Sequence, residues 1–435
     1  MRKVWIKIFP TTPPQAPETG APLSRAVVSL CALLLLAAFY EVARRGLLIW
    51  GGQFEVNFVL VTFGLVTALC VALPWLSGTR KRIVLLAASV LVGAAIVRWL
   101  LLFPLFLAWL TTRVSRTRWS TPAKLTVVLG VWLLVPVITW FIPRGWGRFD
   151  ELSMYWAMLF GPLICLVVER SRGQLEEVGV FDEWLYLLVF PRFFVPFPQP
   201  IGVRRFHDSW RGPADVRLAL RALALGVYGL GGYFVIRYTF YALKSPTAPL
   251  SLVNHGPQIL TNGLRIYAFN ATSIFCAVAL LRLVGYDLGS GFRYPLLATS
   301  FADLYRRWNY YLFEFSSSMF YLPLVTRLRR FMPLSLAYVL AGYASVLVGV
   351  WGLFNVFGLW PFGQYGVQMW LSMRDVKGLS GYFLVWTVIV VPQVLFAPVR
   401  RLRRFLWWRI GGRLITIGTG VGLATYAFIH GITVY

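Results

Sequence analysis

The densest chemistry in this chain sits in one short segment. The stretch 301–323, FADLYRRWNYYLFEFSSSMFYLP, sets Asp303, Arg306, Arg307, Asn309 and Glu314 between long apolar runs that carry almost no charge. Ionisable groups at membrane depth are costly, and where they occur they mark ion, proton or substrate paths. On a helix, Asp303, Arg307, Tyr310 or Tyr311 and Glu314 fall on one stripe, at steps of three or four. Asp303 can neutralise Arg307 across one turn, Arg306 and Asn309 form a neighbouring polar edge, and Glu314 can face the same cavity further along. A carboxyl in a low-dielectric cavity has a raised pKa suited to proton transfer, so Glu314 is a candidate base. The same residues also fit an interfacial helix whose arginines snorkel and whose Trp308 and tyrosines join an aromatic belt.

Only three histidines are available for acid–base work. His207, in RRFHDSW, stands beside Asp208 in a basic stretch read as a solvated or headgroup-facing loop. His255 precedes a Gly-Pro turn and reads as structural. His430, in AFIHGITVY, lies in the last apolar segment, where an ionisable group is unusual. The four cysteines, Cys31, Cys70, Cys165 and Cys276, lie inside apolar segments without paired spacing, which points to buried thiols and to neither a disulfide framework nor a metal site. The glycine-rich runs 226–233 and 418–422 lie within apolar helices with no preceding strand, so close helix packing accounts for them better than a nucleotide loop. Asn270–Ala271–Thr272 matches a glycosylation acceptor inside an apolar run and reads as silent.

The elements that position these residues are helices in an apolar chain. The 435 residues are 58% hydrophobic and 13% charged, against about 25% charge in soluble domains. Apolar stretches recur at 26–40, 55–77, 83–110, 124–142, 152–168, 217–242, 266–284, 334–360, 380–398 and 412–434. With about 20 residues per span, the expectation is an all-α polytopic integral membrane protein of about ten or eleven transmembrane helices. Two apolar pieces are too short or broken for simple spans. One is 184–201, where four prolines stop any continuous helix; the other is 301–323, interrupted by the arginine pair and then by Ser316 to Ser318. Irregular backbone at membrane depth survives only beside protein or a water-filled cavity, so both read as re-entrant or interfacial segments around a shared cavity.

The formal net charge of +26 resides in clusters at helix ends: 44–45, 80–82, 113–118, 170–172, 204–205, 327–330 and 400–404. Such clusters mark cytoplasmic loops and contacts with anionic headgroups, and no continuous basic surface for nucleic acid is visible. Residues 1–25 read as a flexible basic and Pro-rich tail, and 26–435 as one multi-pass domain in the cell (inner) membrane.

Several landmarks resemble the membrane-bound O-acyltransferase (MBOAT) family, in family order. Phe190–Pro191 followed by PFPQPIGVRRF at 196–206 resembles the family's broken proline motif. MLFGPLICLVVERSRG at 158–173 resembles its helix ending in an acidic residue and a basic-glycine turn, with Glu169 in the acidic place. Phe292 to Pro295, then DLYRRWN at 303–309, resembles the proline and the (D/E)FWRRW(H/N) signature, and Tyr321–Leu322–Pro323 follows as the tyrosine-proline element. The resemblance covers roughly residues 120–360 and implies an MBOAT-like core there.

Members of that family move an acyl group from a thioester, acyl-CoA or an acyl carrier, to a hydroxyl of a lipid or envelope acceptor. The resemblance implies no resident cofactor, a cationic contact for the donor's phosphates from Arg306 and Arg307, whose guanidinium forks suit phosphate, and a hydrogen bond from Asn309 to the thioester carbonyl or the acceptor. Asp303 and Trp308 complete this substrate-binding set. The family also carries a histidine about forty residues later, usually as WHG. Here that stretch is LVGVWGLFNVFG at 347–358, with Gly352 after Trp351 and Asn355 nearby, and no histidine lies between His255 and His430. A general base is worth about 10²–10⁴ in rate. Three readings follow: a catalytically altered or inactive relative that binds lipid or acyl groups beside an acyl-carrying or envelope-assembly partner; an active O-acyltransferase whose displaced base is Glu314 or His430; or a transporter or channel.

Overall fold

The structure, a computed structural model, describes residues 22–44, 68–76, 78–140, 149–189, 201–211, 215–242, 278–289, 301–308 and 310–345, with isolated positions between 275 and 298 and between 410 and 414. The described architecture is all-helical, and its one β-type contact is an isolated antiparallel bridge between Trp210 and Tyr286. In chain order the helices are α1 (Pro22–Arg44), α2 (Gly78–Val97), α3 (Leu102–Ser115), α4 (Thr121–Trp140), α5 (Phe149–Ser171), α6 (Val180–Leu188), α7 (Val203–Asp208), α8 (Val216–Ala242), α9 (Phe301–Trp308), α10 (Tyr310–Phe315), α11 (Leu322–Leu328) and α12 (Leu334–Ser345). Among the described residues no helix is long and apolar enough to cross a membrane. The apolar stretches 380–398 and 412–434 lie almost wholly outside these residues, as do parts of 55–77, 266–284 and 334–360.

Helices α3, α4 and α5 pack against one another, with α6 laid across α2, α3 and α5, while α1 pairs with α8. Trp132 on α4 and Trp156 on α5 lock that pair reciprocally. Each indole N–H donates to the other residue's backbone carbonyl, at 3.0 and 2.9 Å. Both rings are buried, so each bond satisfies an indole donor that would otherwise be stranded, and the Trp132 carbonyl, opposite Pro136 at i+4, has no helix donor of its own. Cys31, Cys70 and Cys165 are buried; Cys276 lies outside the described residues.

Several sequence expectations change. The apolar stretch 83–110 is two helices, because the chain breaks through a 3₁₀ turn at Arg98–Leu101. Arg98 has φ 55°, a left-handed conformation unfavourable for a residue with a Cβ. Residues 22–25, read as part of the tail, are the first turn of α1. The serines at 316–318 do not interrupt the helix. They widen it into a π-helical turn, Ser316–Tyr321, between α10 and α11, and Ser318 Oγ back-bonds to the Glu314 carbonyl at 2.7 Å. Helix α6 ends at Leu188, and the four prolines of 184–201 lie outside the described residues. The glycines at 226–233 lie inside α8, as expected; those at 418–422 lie outside the described residues.

Candidate functional site

The charged side chains of 301–323 form two groups. In the first, the Asp303 carboxylate accepts from Arg306 Nη2 at 2.6 Å and from Arg307 Nε at 2.8 Å. Burial pushes the Asp303 carboxyl up, but the two guanidinium bonds outweigh it and hold the group below its ordinary value. Arg307 Nη1 also donates to the Arg293 carbonyl at 3.3 Å, and the Arg293 N–H returns a bond to the Arg307 carbonyl at 2.8 Å. The Tyr310 N–H donates to the Gly291 carbonyl at 2.8 Å, and the Tyr311 hydroxyl to the Gly289 carbonyl. Gly289, Gly291 and Arg293 are thus each tied to α9 or α10 by a hydrogen bond.

The second group faces α7. Arg205 Nη1 reaches Glu314 Oε2 at 2.5 Å and the Tyr310 hydroxyl at 3.3 Å. Its guanidinium lies 5.1 and 5.2 Å from the ring centres of Tyr310 and Tyr311, and Arg293 stacks on Tyr310 at 3.7 Å. Cation–π contacts of this kind hold arginines on aromatic faces. Glu314, expected to share a cavity with Asp303 and Arg307, stands in this second, half-buried group, where its partner is Arg205 of α7.

A third acid completes this wall. Helix α5 ends in a Schellman motif: the Gln174 N–H bonds the Glu169 carbonyl, the Gly173 N–H bonds the Arg170 carbonyl, and Gly173 takes φ 70°. That ending fixes Glu169 one residue beyond the apolar stretch 152–168, pointing at the start of α7. Its Oε2 accepts the Arg204 N–H at 3.0 Å. Gly202 permits the approach, since a Cβ there would lie 2.5 Å from Glu169 Oε1. Glu169 is 7% exposed. Burial pushes its carboxyl up to about 7, reinforced by the nearby Glu314 charge and opposed by the Arg204 amide and by Arg172. Arg172 in turn reaches the Ser318 carbonyl at 3.4 Å, joining the end of α5 to the π turn. Within that turn Ser316 Oγ is buried with no hydrogen-bond partner among the described residues, and π turns often accompany functional sites.

Helix α7 is thus a hub. On its other side Phe206 stacks on Tyr286 at 4.2 Å, and Tyr186 meets Phe206 edge-on at 5.5 Å. His207, expected in a solvated loop, is a half-buried helical residue between Asp208 (3.5 Å) and Asp182 (3.8 Å). It lines a cavity of about 260 Å³ with Arg82, Phe206, Trp210 and Tyr286. Basic clusters expected to face headgroups are partly turned inward. Lys81 is buried over the Trp210 ring, 5.2 Å from its centre, and burial lowers its ammonium to about 8. Arg82 pairs with Asp182, and Arg170 and Arg116 both engage the fully buried Glu183.

Of the residues named from sequence, the structure brings Asp303, Arg306 and Arg307 together and sets Glu314 against Arg205. The backbone of Trp308 closes α9, and its side chain lies outside what is described. Asn309, Gly352, Asn355, His255 and His430 fall outside the described residues. Sequence reasoning gave no site role to Arg205, Glu183 or Asp182; Glu169 was placed only by resemblance. Their one signal is composition: 16 acids against 42 arginines and lysines make each acid at a helix end a candidate partner for a distant cation. Among the described residues no cluster of three or more metal-ligating side chains occurs. No family model and no curated protein matches this chain.

Proposed function

We propose that this chain is an MBOAT-like multi-pass membrane protein, related to enzymes that carry acyl groups from thioesters to hydroxyls, in which catalysis is altered or lost and binding of lipid or acyl groups is retained. The membrane part of the reading draws on the composition and on the apolar outer faces of the helices, where Leu30 and Leu34 of α1, Leu102 and Phe106 of α3, and Leu133 and Leu134 of α4 stand exposed. The observation that carries the functional part is that both acids of 301–323 are committed to arginines. Asp303 holds Arg306 and Arg307, and Glu314 holds Arg205. Arginines neutralised this way are poorer hosts for a donor's phosphates. Gly352, standing where the resemblance calls for a histidine, fits the same reading.

A second reading, an active O-acyltransferase with a displaced base, is favoured by Glu169, a buried carboxyl beside Glu314 that titrates near neutral pH. The purified full-length chain, given acyl-CoA or an acyl-carrier thioester and a mixed lipid acceptor pool, tests both. The first reading expects no thiol release above background and a retained acyl lipid in mass spectrometry of the purified protein. Thiol release that disappears in Glu314→Gln or His430→Ala would overturn it, and release lost only in Glu169→Gln would assign the base to the end of α5.

A further inference from the structure

The turn joining α3 to α4 opens onto a second cavity, of about 450 Å³, closed on one side by Arg170 and Ser171 at the end of α5. Four cationic side chains line it, Arg116, Arg118, Lys124 and Arg170, and among the described residues no carboxylate does. Behind the lining, Glu183 takes Arg170 and Arg116, so one acid serves a group of four cations. Lys124 is 5% exposed. Its Nζ donates to the Ser115 carbonyl at 2.9 Å and to the Ser171 hydroxyl at 3.4 Å. Both partners are uncharged and an ammonium has three donors, so this buried cation lacks a counter-ion among the described residues. Arg118 is exposed and likewise has no ion-pair partner among them. The first turn of α4 borders the same cavity at Thr121, with amides that have no carbonyl inside the helix.

The surroundings narrow the ligand. Trp119 stands exposed on the cavity wall, and further along α3 and α4 the exposed Phe106, Trp109, Leu133 and Leu134 form apolar surface. A polar cup of cations and hydroxyls next to exposed tryptophan and aliphatic side chains suits an amphiphile with a phosphate at its head. We propose that this cavity binds a phosphate group, presented as the headgroup of an anionic lipid whose chains lie against α3 and α4. The assignment is independent of acyl transfer and stands whether or not the chain is an enzyme.

The test is a native mass-spectrometric titration of the delipidated full-length protein in detergent with phosphatidylglycerol, with phosphatidylcholine as the zwitterionic control. Inorganic phosphate and glycerol phosphate serve as soluble competitors. Phosphatidylglycerol is expected to bind at least tenfold more tightly than phosphatidylcholine. Each cation removed near an anionic headgroup weakens binding by about fivefold. Arg118→Gln is therefore expected to lose about fivefold, and Arg118→Glu, which adds repulsion, more than that. Arg118 is exposed and without a described ion-pair partner, so these variants leave the packing intact. Arg217→Glu, exposed on α8 and outside the basic clusters, is expected to bind as the parent does. Equal binding of both lipids, unchanged binding by Arg118→Glu, or an equal loss in Arg217→Glu would overturn the proposal. Displacement by millimolar inorganic phosphate, with no gain from the lipid chains, would keep the phosphate site and overturn its assignment to lipid.

Discussion

Replacing Glu169 by glutamine should remove a pH dependence that the fold builds into the end of α5. In the folded chain the carboxyl titrates at about 7, against an ordinary 4.5, because burial disfavours the charged form more than the Arg204 amide and Arg172 favour it. Between those values the folded state holds a proton that the unfolded state has released, so stability falls as pH rises. The contribution is fully present below about 4.5, is lost as pH rises through about 7, and is flat above about 8. A shift of that size corresponds to about 3 kcal/mol, and the group is too little exposed for solvent to screen much of it. Glutamine cannot ionise, yet its amide oxygen can still accept the Arg204 N–H, so Glu169→Gln keeps the contact to α7 and abolishes the titration. The assay is the thermal midpoint in detergent at pH 5, 6, 7 and 8. The parent should lose several degrees across that range and the variant markedly less, the two differing most at pH 8. If Glu169→Gln keeps the parent's full slope, the carboxyl is not the titrating group and the burial argument is wrong.

Gly202→Ala places a Cβ 2.5 Å from Glu169 Oε1 and should cost about 1–3 kcal/mol in denaturant melts, with most of that cost gone in a Glu169→Ala background. Trp156→Phe removes one arm of the reciprocal lock and strands the Trp132 carbonyl. It should destabilise by about 1–3 kcal/mol, and Trp132→Phe should cost a similar amount when melted under the same conditions. Asp303→Asn leaves Arg306 and Arg307 without their shared acid, costing about 1–3 kcal/mol near neutral pH. Because the Asp303 carboxyl is held below its ordinary value, its contribution is present above that value and fades as pH falls through the lowered one. The gap between parent and Asp303→Asn midpoints should therefore narrow in acid, and a gap constant down to pH 3 would refute the pairing.

The helical class was legible because long apolar runs without strand alternation leave few other ways to satisfy the backbone. So was the Asp303–Arg307 pair, since a spacing of four residues is fixed by the helix itself; the Asp303–Arg306 bond was not, because Arg306 read as the neighbour of Asn309. The π turn was not legible, because three serines read equally well as a breaker and as hydroxyls that back-bond the preceding turn. Neither was Arg98, where the backbone takes a conformation its side chain disfavours.

The sequence by itself determined the helices, the surplus of cations and the close pairs within one helix, all of which are set by periodicity and composition over a few residues. Only the tertiary structure decided which cation each scarce acid takes. Glu314 meets Arg205 across 109 positions and Arg116 meets Glu183 across 67, while Arg118 and Lys124 have no acid beside them among the described residues. A burial environment and a partner brought from another helix are properties of packing, and local spacing carries no record of them. Gly173 shows where the two meet: a glycine visible in the sequence ends α5, and the packed chain then aims Glu169 at α7.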